Sequence, residues 1–297
     1  MRRILALFMT ALFVVNIAAL SARADSRIDR KALVRRNNVT LEKPDALTPL
    51  SVGNGEFAFT ADITGLQTFP EYHEEGMPLG TQSQWGWHSM PNPDGYKLSD
   101  ILEEYTVDSR KVPYASDERY SRGYSPEATW LRSNPHRLHL GQIGLCLQKS
   151  DGSSMDVDDL TNTSQTLDLW TGLLSSRFEV EGRPVKVLTV CHPERDLLAV
   201  CVESPLVGQK RLGVSLAFPY GSTVWRNAAD WNHPERHTTR QKIMSNRADL
   251  TRMLTAIMFV LSFHQQGASK RNRGMSMKYT EKKESRWKFY LPFLLKK

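Results

Sequence analysis

The chain has 297 residues, with 39 Lys and Arg against 32 Asp and Glu, which is long enough for one large globular domain. The excess charge is a terminal block: residues 264–297 hold ten Lys or Arg against two Glu, residues 1–24 add three Arg, and 26 basic and 30 acidic residues remain over 25–263. A mildly acidic body with its cations at one end excludes a nucleic-acid module, which gathers basic and aromatic groups on one folded face.

Arg2 and Arg3, the apolar run Ile4 to Leu20 and Ala22-Arg23-Ala24 predict a cleaved signal peptide over residues 1–24 and a secreted or periplasmic protein. The apolar run is shorter than the roughly 20 residues of a spanning helix, and the later run Met253 to Phe263 is shorter still, so no transmembrane segment is expected after cleavage. Asn38-Val39-Thr40 and Asn162-Thr163-Ser164 are glycosylation sequons, meaningful in a eukaryotic secretory route.

Residues 51–93 are the most informative stretch. Gly53-Asn54-Gly55 predicts a tight turn that opens an alternating strand, with positive φ tolerated at all three positions. Downstream, Gln84-Trp85-Gly86-Trp87-His88 sets two indoles and an imidazole in a polar, Pro-bounded segment. Trp85 and Trp87 are two apart, so in a strand both would face one side and form a stacking platform for sugar rings. Asn54, Gln84, Trp85, Trp87 and His88 are therefore the expected saccharide-binding residues, with an oligo- or polysaccharide as partner. Glu56, Glu71, Glu74 and Glu75 are the acids near this stretch, and loop carboxylates of this kind are usually solvated, so no catalytic residue is assigned.

Leu98 to Tyr105 predicts one short helix or an extended loop. From Leu138 onward the pattern is β, with strands expected at Gln142 to Gln148, Thr166 to Trp170, Ser175 to Val180, Val185 to Cys191, Leu197 to Glu203 and Leu212 to Phe218. Turn residues at Asp151-Gly152, Glu181-Gly182, His192-Pro193 and Val207-Gly208 separate them. Close antiparallel hairpins of this kind predict an all-β, antiparallel sandwich over residues 25–254, with few short helices.

Cys146, Cys191 and Cys201 leave at least one thiol unpaired. A hairpin turning at His192 to Asp196 puts Cys191 near Leu197 and Cys201 near Val187, too far apart for a bridge, so buried free thiols are expected. His233, Glu235 and His237 alternate, but Pro234 breaks a regular strand there, so no metal site is predicted. Asp151, Asp156, Asp158 and Asp159 lack the spacing of a calcium loop and no nucleotide-binding glycine loop is present, so no cofactor is expected.

Gly53-Asn54-Gly55, Thr171-Gly172 after Leu167-Asp168-Leu169-Trp170, Ser176-Arg177-Phe178 and Phe218-Pro219-Tyr220-Gly221, in that order, resemble the N-terminal domain of six-hairpin glycosidases, and most closely secreted proteins grouped with glycoside hydrolase family 65. The resemblance covers roughly Arg35 to Arg252. It implies a galactose-mutarotase-like β-supersandwich, followed in the family by an (α/α)6 barrel that carries the catalytic acid. It also implies that the Asn54 turn lies near the junction of the two domains. The family holds hydrolases and phosphorylases, and no residue here chooses between them.

A barrel of about a dozen helices needs well over ~200 further residues. The sequence therefore predicts an inactive fragment without its catalytic barrel, or alternatively a free-standing carbohydrate-binding or structural sandwich. Residues 255–297 carry neither period 2 nor the family's strands, and predict an irregular basic tail, disordered or produced by a frameshift near Thr255. A genuine tail of this charge would suit an anionic surface.

Overall fold

The computed structural model describes residues 28–115, 123–224, 228–244, 247–254, 258–266 and 286–295. The expected signal peptide lies outside the described residues. Met1–Asn38 and Val39–Lys297 form two units. In the first, α1 (Arg30–Arg35) starts where the Asp29 carboxylate accepts from the Ala32 N–H at 2.9 Å, and it buries no side chain.

The second unit runs β1 (Val39–Leu41), β2 (Leu50–Gly53), β3 (Phe57–Ala61), β4 (Thr81–Ser83), β5 (Trp87–His88), β6 (Leu102–Val107), β7 (Arg110–Ala115), α2 (Pro126–Ser133), β8 (His136–Arg137) and β9 (Gln142–Leu147). It continues through β10 (Leu160–Asp168), β11 (Leu173–Val180), β12 (Arg183–Cys191), β13 (Leu197–Glu203), α3 (Pro205–Gly208), β14 (Leu212–Ala217), β15 (Tyr220–Gly221), β16 (Ala229–Asp230), β17 (Thr238–Ile243), β18 (Arg247–Met253), β19 (Met258–Gln266) and β20 (Arg286–Leu295). The architecture is all-β and antiparallel. A nine-stranded sheet has the order β1-β10-β11-β12-β13-β20-β19-β18-β17, and β2-β3-β4 and β9-β14 form smaller sheets.

Strict alternation in β11 to β13 makes the interior. Leu174, Phe178 and Val180, then Val185 and Val187, then Leu198, Val200 and Val202 are buried, while Ser175, Arg177, Glu179, Lys186, Ala199 and Cys201 on the opposite face stay partly or fully exposed. They share one apolar core with Phe57, Phe59 and Ala61 of β3 and with Ile143, Leu145 and Leu147 of β9. The β11–β12 link is two residues, Glu181 and Gly182, at φ of 47° and 71°. Such a turn matches the strand twist and fixes the register Val180↔Arg183.

Among the described residues, the inward positions Gln165, Ser176 and Thr189 of the large sheet are polar and fully buried. Their partners lie in the loop that leaves β3. Gln165 Nε2 donates to the Asp62 carbonyl at 2.7 Å and to Ser176 Oγ at 2.9 Å, and Thr189 Oγ1 donates to the Gly65 carbonyl at 2.8 Å. The buried Asp62 carboxylate holds that loop by accepting from Thr64 N (2.8 Å), Thr64 Oγ1 (2.6 Å), Thr68 N (2.6 Å) and Phe69 N (2.8 Å). Burial raises its pKa, and these four donors oppose the rise. Gln67 Oε1 then accepts from Ile143 N at 3.1 Å, so one polar loop joins the large sheet to β9.

The strands expected between Gln142 and Phe218 are present, but the segment expected from Thr166 to Trp170 is β10, which starts at Leu160 and ends at Asp168. Leu98 to Tyr105 is neither one helix nor a loop: a 3₁₀ turn over Leu98–Ile101 leads into the exposed hairpin β6–β7. The β12–β13 register is Cys191↔Leu198 and Leu188↔Cys201, one residue from the symmetric expectation, and none of the three cysteines is disulfide-bonded. Cys191 is buried, which pushes its thiol up to about 11, whereas Cys146 is exposed and Cys201 half-buried. The tail expected to be irregular contains two strands among its described residues. Residues 258–266 and 286–295 are strands that close the gap between β13 and β18, with registers Val200↔Phe289, Leu261↔Phe293 and Leu250↔Leu261.

Candidate functional site

The Gly53-Asn54-Gly55 turn joins β2 to β3. Only Gly55 has positive φ, at 94°; at Gly53 a Cβ would lie 2.4 Å from the Phe57 carbonyl oxygen, so that glycine is required by close approach. Asn54 Oδ1 accepts from Glu56 N at 3.0 Å and Phe57 N at 2.8 Å, while its Nδ2 donates at 3.1 Å to each of the His192 and Arg195 carbonyls. A carboxamide has two donor hydrogens and one acceptor oxygen, and all are engaged. Asn54 thus ties the β2–β3 turn to the β12–β13 turn and has nothing left to offer a saccharide.

Trp85 serves the same turn. It sits in the bend between β4 and β5, not in a strand, so parity does not place it beside Trp87. Its Nε1 donates to Asp196 Oδ2 at 2.7 Å, Ser83 Oγ donates to the same oxygen at 2.5 Å, and the half-buried indole packs on the core. The expected two-indole platform is replaced by one anchored indole and one exposed indole.

Trp87 is the exposed one, 41% accessible. Its strand is two residues long and pairs as Trp87↔Arg137 and His88↔His136. Arg137 lays its guanidinium carbon 4.1 Å from the Trp87 ring centroid and donates from Nη1 to the Ser83 and Gln84 carbonyls, both at 3.2 Å. Gln84 is exposed, and its backbone N–H donates to the Glu56 carbonyl at 2.7 Å. Gln84, Trp87 and Arg137 therefore form a solvent-facing rim on a fixed backbone. The sequence reading missed Arg137 because only the β5–β8 pairing brings it to Trp87.

His88 points the other way. It is 1% exposed, with its Nδ1 3.1 Å from His136 Nε2, while His136 Nδ1 lies 3.0 Å from the Ser133 carbonyl. A carbonyl only accepts, so His136 Nδ1 carries the proton, His136 Nε2 accepts, and His88 Nδ1 donates. His88 Nε2 is left as a buried acceptor without a hydrogen-bond partner. Burial, and then the neighbouring His136, lower the His88 pKa to about 4; burial also lowers that of His136, against the opposing Ser133 carbonyl. The Tyr220 ring meets His88 edge-on at 5.0 Å, and a Cβ on Gly221 would lie 2.5 Å from His88 Nδ1. His88 supports the rim from beneath and does not belong to it.

The remaining candidates are dispersed. Glu56, Glu71, Glu74 and Glu75 are all exposed. Pro234–Arg236 is a 3₁₀ turn, and His233 Nδ1 lies 2.7 Å from Asp230 Oδ2. No group of three or more His, Cys, Asp or Glu among the described residues is placed to hold a metal ion.

No protein-family model matches the chain, and no curated protein matches it. Among solved structures, one described as a kojibiose phosphorylase from human microbiome is similar at 12% identity and a TM-score of 0.40, over 83% of this chain and 27% of that one. The chain thus spans about a quarter of that protein's length.

Proposed function

We propose that this chain is the carbohydrate-associated sandwich of an exported glycoside hydrolase-like protein, and that it contributes a saccharide-contacting wall and no reaction centre. The observation that carries the reading is the exposed Trp87 indole, fixed by Arg137 and flanked by the exposed Gln84. A rigid aromatic face beside a carboxamide supplies the stacking surface and the directional hydrogen bonds that a pyranose ring requires. The ordered resemblance from Gly53-Asn54-Gly55 to Phe218-Pro219-Tyr220-Gly221 supports the same ancestry. The leader at residues 1–24 supports export.

Titration of the full chain with neutral and acidic oligosaccharides, followed on the same samples by measurement of released sugar, tests the proposal. Saturable binding without turnover is expected, and Trp87→Ala should weaken it about tenfold, in line with an aromatic stacking contact. Binding that ignores Trp87→Ala overturns the placement of the wall. Measurable hydrolysis or phosphorolysis by this chain overturns the non-catalytic assignment.

A further inference from the structure

The Trp87 rim carries a cation that no described carboxylate neutralises. Arg137 is exposed and forms no ion pair among the described residues. Both Nη1 hydrogens are spent on the Ser83 and Gln84 carbonyls at 3.2 Å, and one face of the guanidinium rests on the Trp87 ring at 4.1 Å. These contacts orient the group, and no described residue hydrogen-bonds its Nε–Nη2 edge. That edge presents two parallel N–H bonds, the fork that fits a carboxylate in bidentate fashion. Because the side chain is held by two carbonyls and an indole, its rotamer freedom is already lost in the folded protein, and a ligand need not order it.

A neutral saccharide would leave this fork unused. The geometry points to an acidic oligosaccharide as the ligand of the rim: one ring lies on the exposed part of the Trp87 indole, and the carboxylate of a neighbouring uronate residue meets the Nε–Nη2 edge of Arg137. The two contacts need adjacent sugar residues, because the guanidinium already occupies part of the indole surface. Gln84, whose carbonyl Arg137 holds, stands beside them to meet ring hydroxyls. The inference rests on the saccharide reading of the rim and adds the charge of the ligand to it.

The test compares trigalacturonate with its methyl ester, which keeps the rings and removes the charge, by calorimetric titration of the full chain at low and at physiological ionic strength. The acid is expected to bind about tenfold more tightly than the ester, with the advantage shrinking as salt is added. Arg137→Gln should bring acid and ester within about twofold of each other, and Arg137→Lys should keep the salt dependence but lose most of the advantage, since a lysine has no fork. Equal affinity for acid and ester in the unmutated chain overturns the acidic inference and leaves the saccharide reading intact. If neither ligand binds, both fall. The acid–ester comparison needs no variant, so it decides the matter even where Arg137→Gln fails to fold.

Discussion

Replacing Asn54 by alanine separates a binding role from a structural one. Its φ is not in the left-handed region, so alanine is accommodated without backbone strain and the effect is that of the lost carboxamide. Four hydrogen bonds go with it: two accepted from the Glu56 and Phe57 amides and two donated to the His192 and Arg195 carbonyls. A typical intramolecular hydrogen bond is worth about 0.5–1.5 kcal/mol net. Two of the four groups released, the Glu56 amide and the Arg195 carbonyl, are on exposed residues and regain water, so the lower end applies to them. The sum is about 2–3 kcal/mol, or a fall in Tm of about 5–10 °C for a domain of this size. Urea and thermal unfolding of Asn54→Ala should show that loss, with saccharide affinity per folded molecule unchanged. Asn54→Asp should be worse, because it sets a carboxylate against two carbonyl oxygens. A tenfold loss of affinity with Tm moved by less than about 1 °C would refute the structural assignment.

Acid should destabilise the sandwich through His88. Its folded pKa, about 4, lies below the ordinary 6.5, so its contribution is present above pH 6.5 and is lost as pH falls through 4. The shift bounds that contribution at about 3 kcal/mol, and hydration of the half-buried His136 beside it lowers the expected loss to about 1–2 kcal/mol. Unfolding free energies at either end of this window check it; His88→Gln should flatten the difference, and an unchanged slope in that variant would assign the acid sensitivity elsewhere. Gly65→Ala should cost about 2 kcal/mol or more by chemical denaturation, because φ is +85° and the new Cβ would sit 2.8 Å from Ser176 Oγ and 3.2 Å from Val187 Cγ1. A loss below about 0.5 kcal/mol would mean that the Asp62–Phe69 loop does not pack as tightly as these distances state.

How much of this was legible in the sequence depended on whether the signal was local. Alternation in Leu173–Val180, Arg183–Cys191 and Leu197–Glu203, with Glu181-Gly182 between the first two, states strand, face and turn within a window of thirty-odd residues. The candidate site depended on contacts that no window holds. Asn54 and Trp85 carry the groups that bind sugars, a carboxamide and an indole N–H, but the same groups satisfy a β-turn, and His192, Arg195 and Asp196 claim them from a turn 111 to 141 residues later in the chain. His88 was separated from Trp87 by strand parity, which applies to residues one apart as firmly as to residues two apart. Arg137 was invisible for the opposite reason: nothing in Asn134-Pro135-His136-Arg137 marks it until a two-residue ladder sets it over the indole.

That ladder ties the two halves of the site together. Its outward pair, Trp87 and Arg137, makes the rim, and its inward pair, His88 and His136, is the buried imidazole contact, so whatever charges the imidazoles loosens the backbone that orients the guanidinium. Acid affinity and acid stability should therefore fall together, with the loss of binding to an acidic trisaccharide following the titration of His88 near 4 and not that of a solvent histidine near 6.5. Sugar carboxylates also begin to protonate in that range, and Arg137→Gln separates the causes: in that variant the residual, stacking-dependent affinity for the uncharged ester should still fall with His88. If ester affinity stays level across the window while the unmutated chain loses stability, the ladder does not couple its two faces.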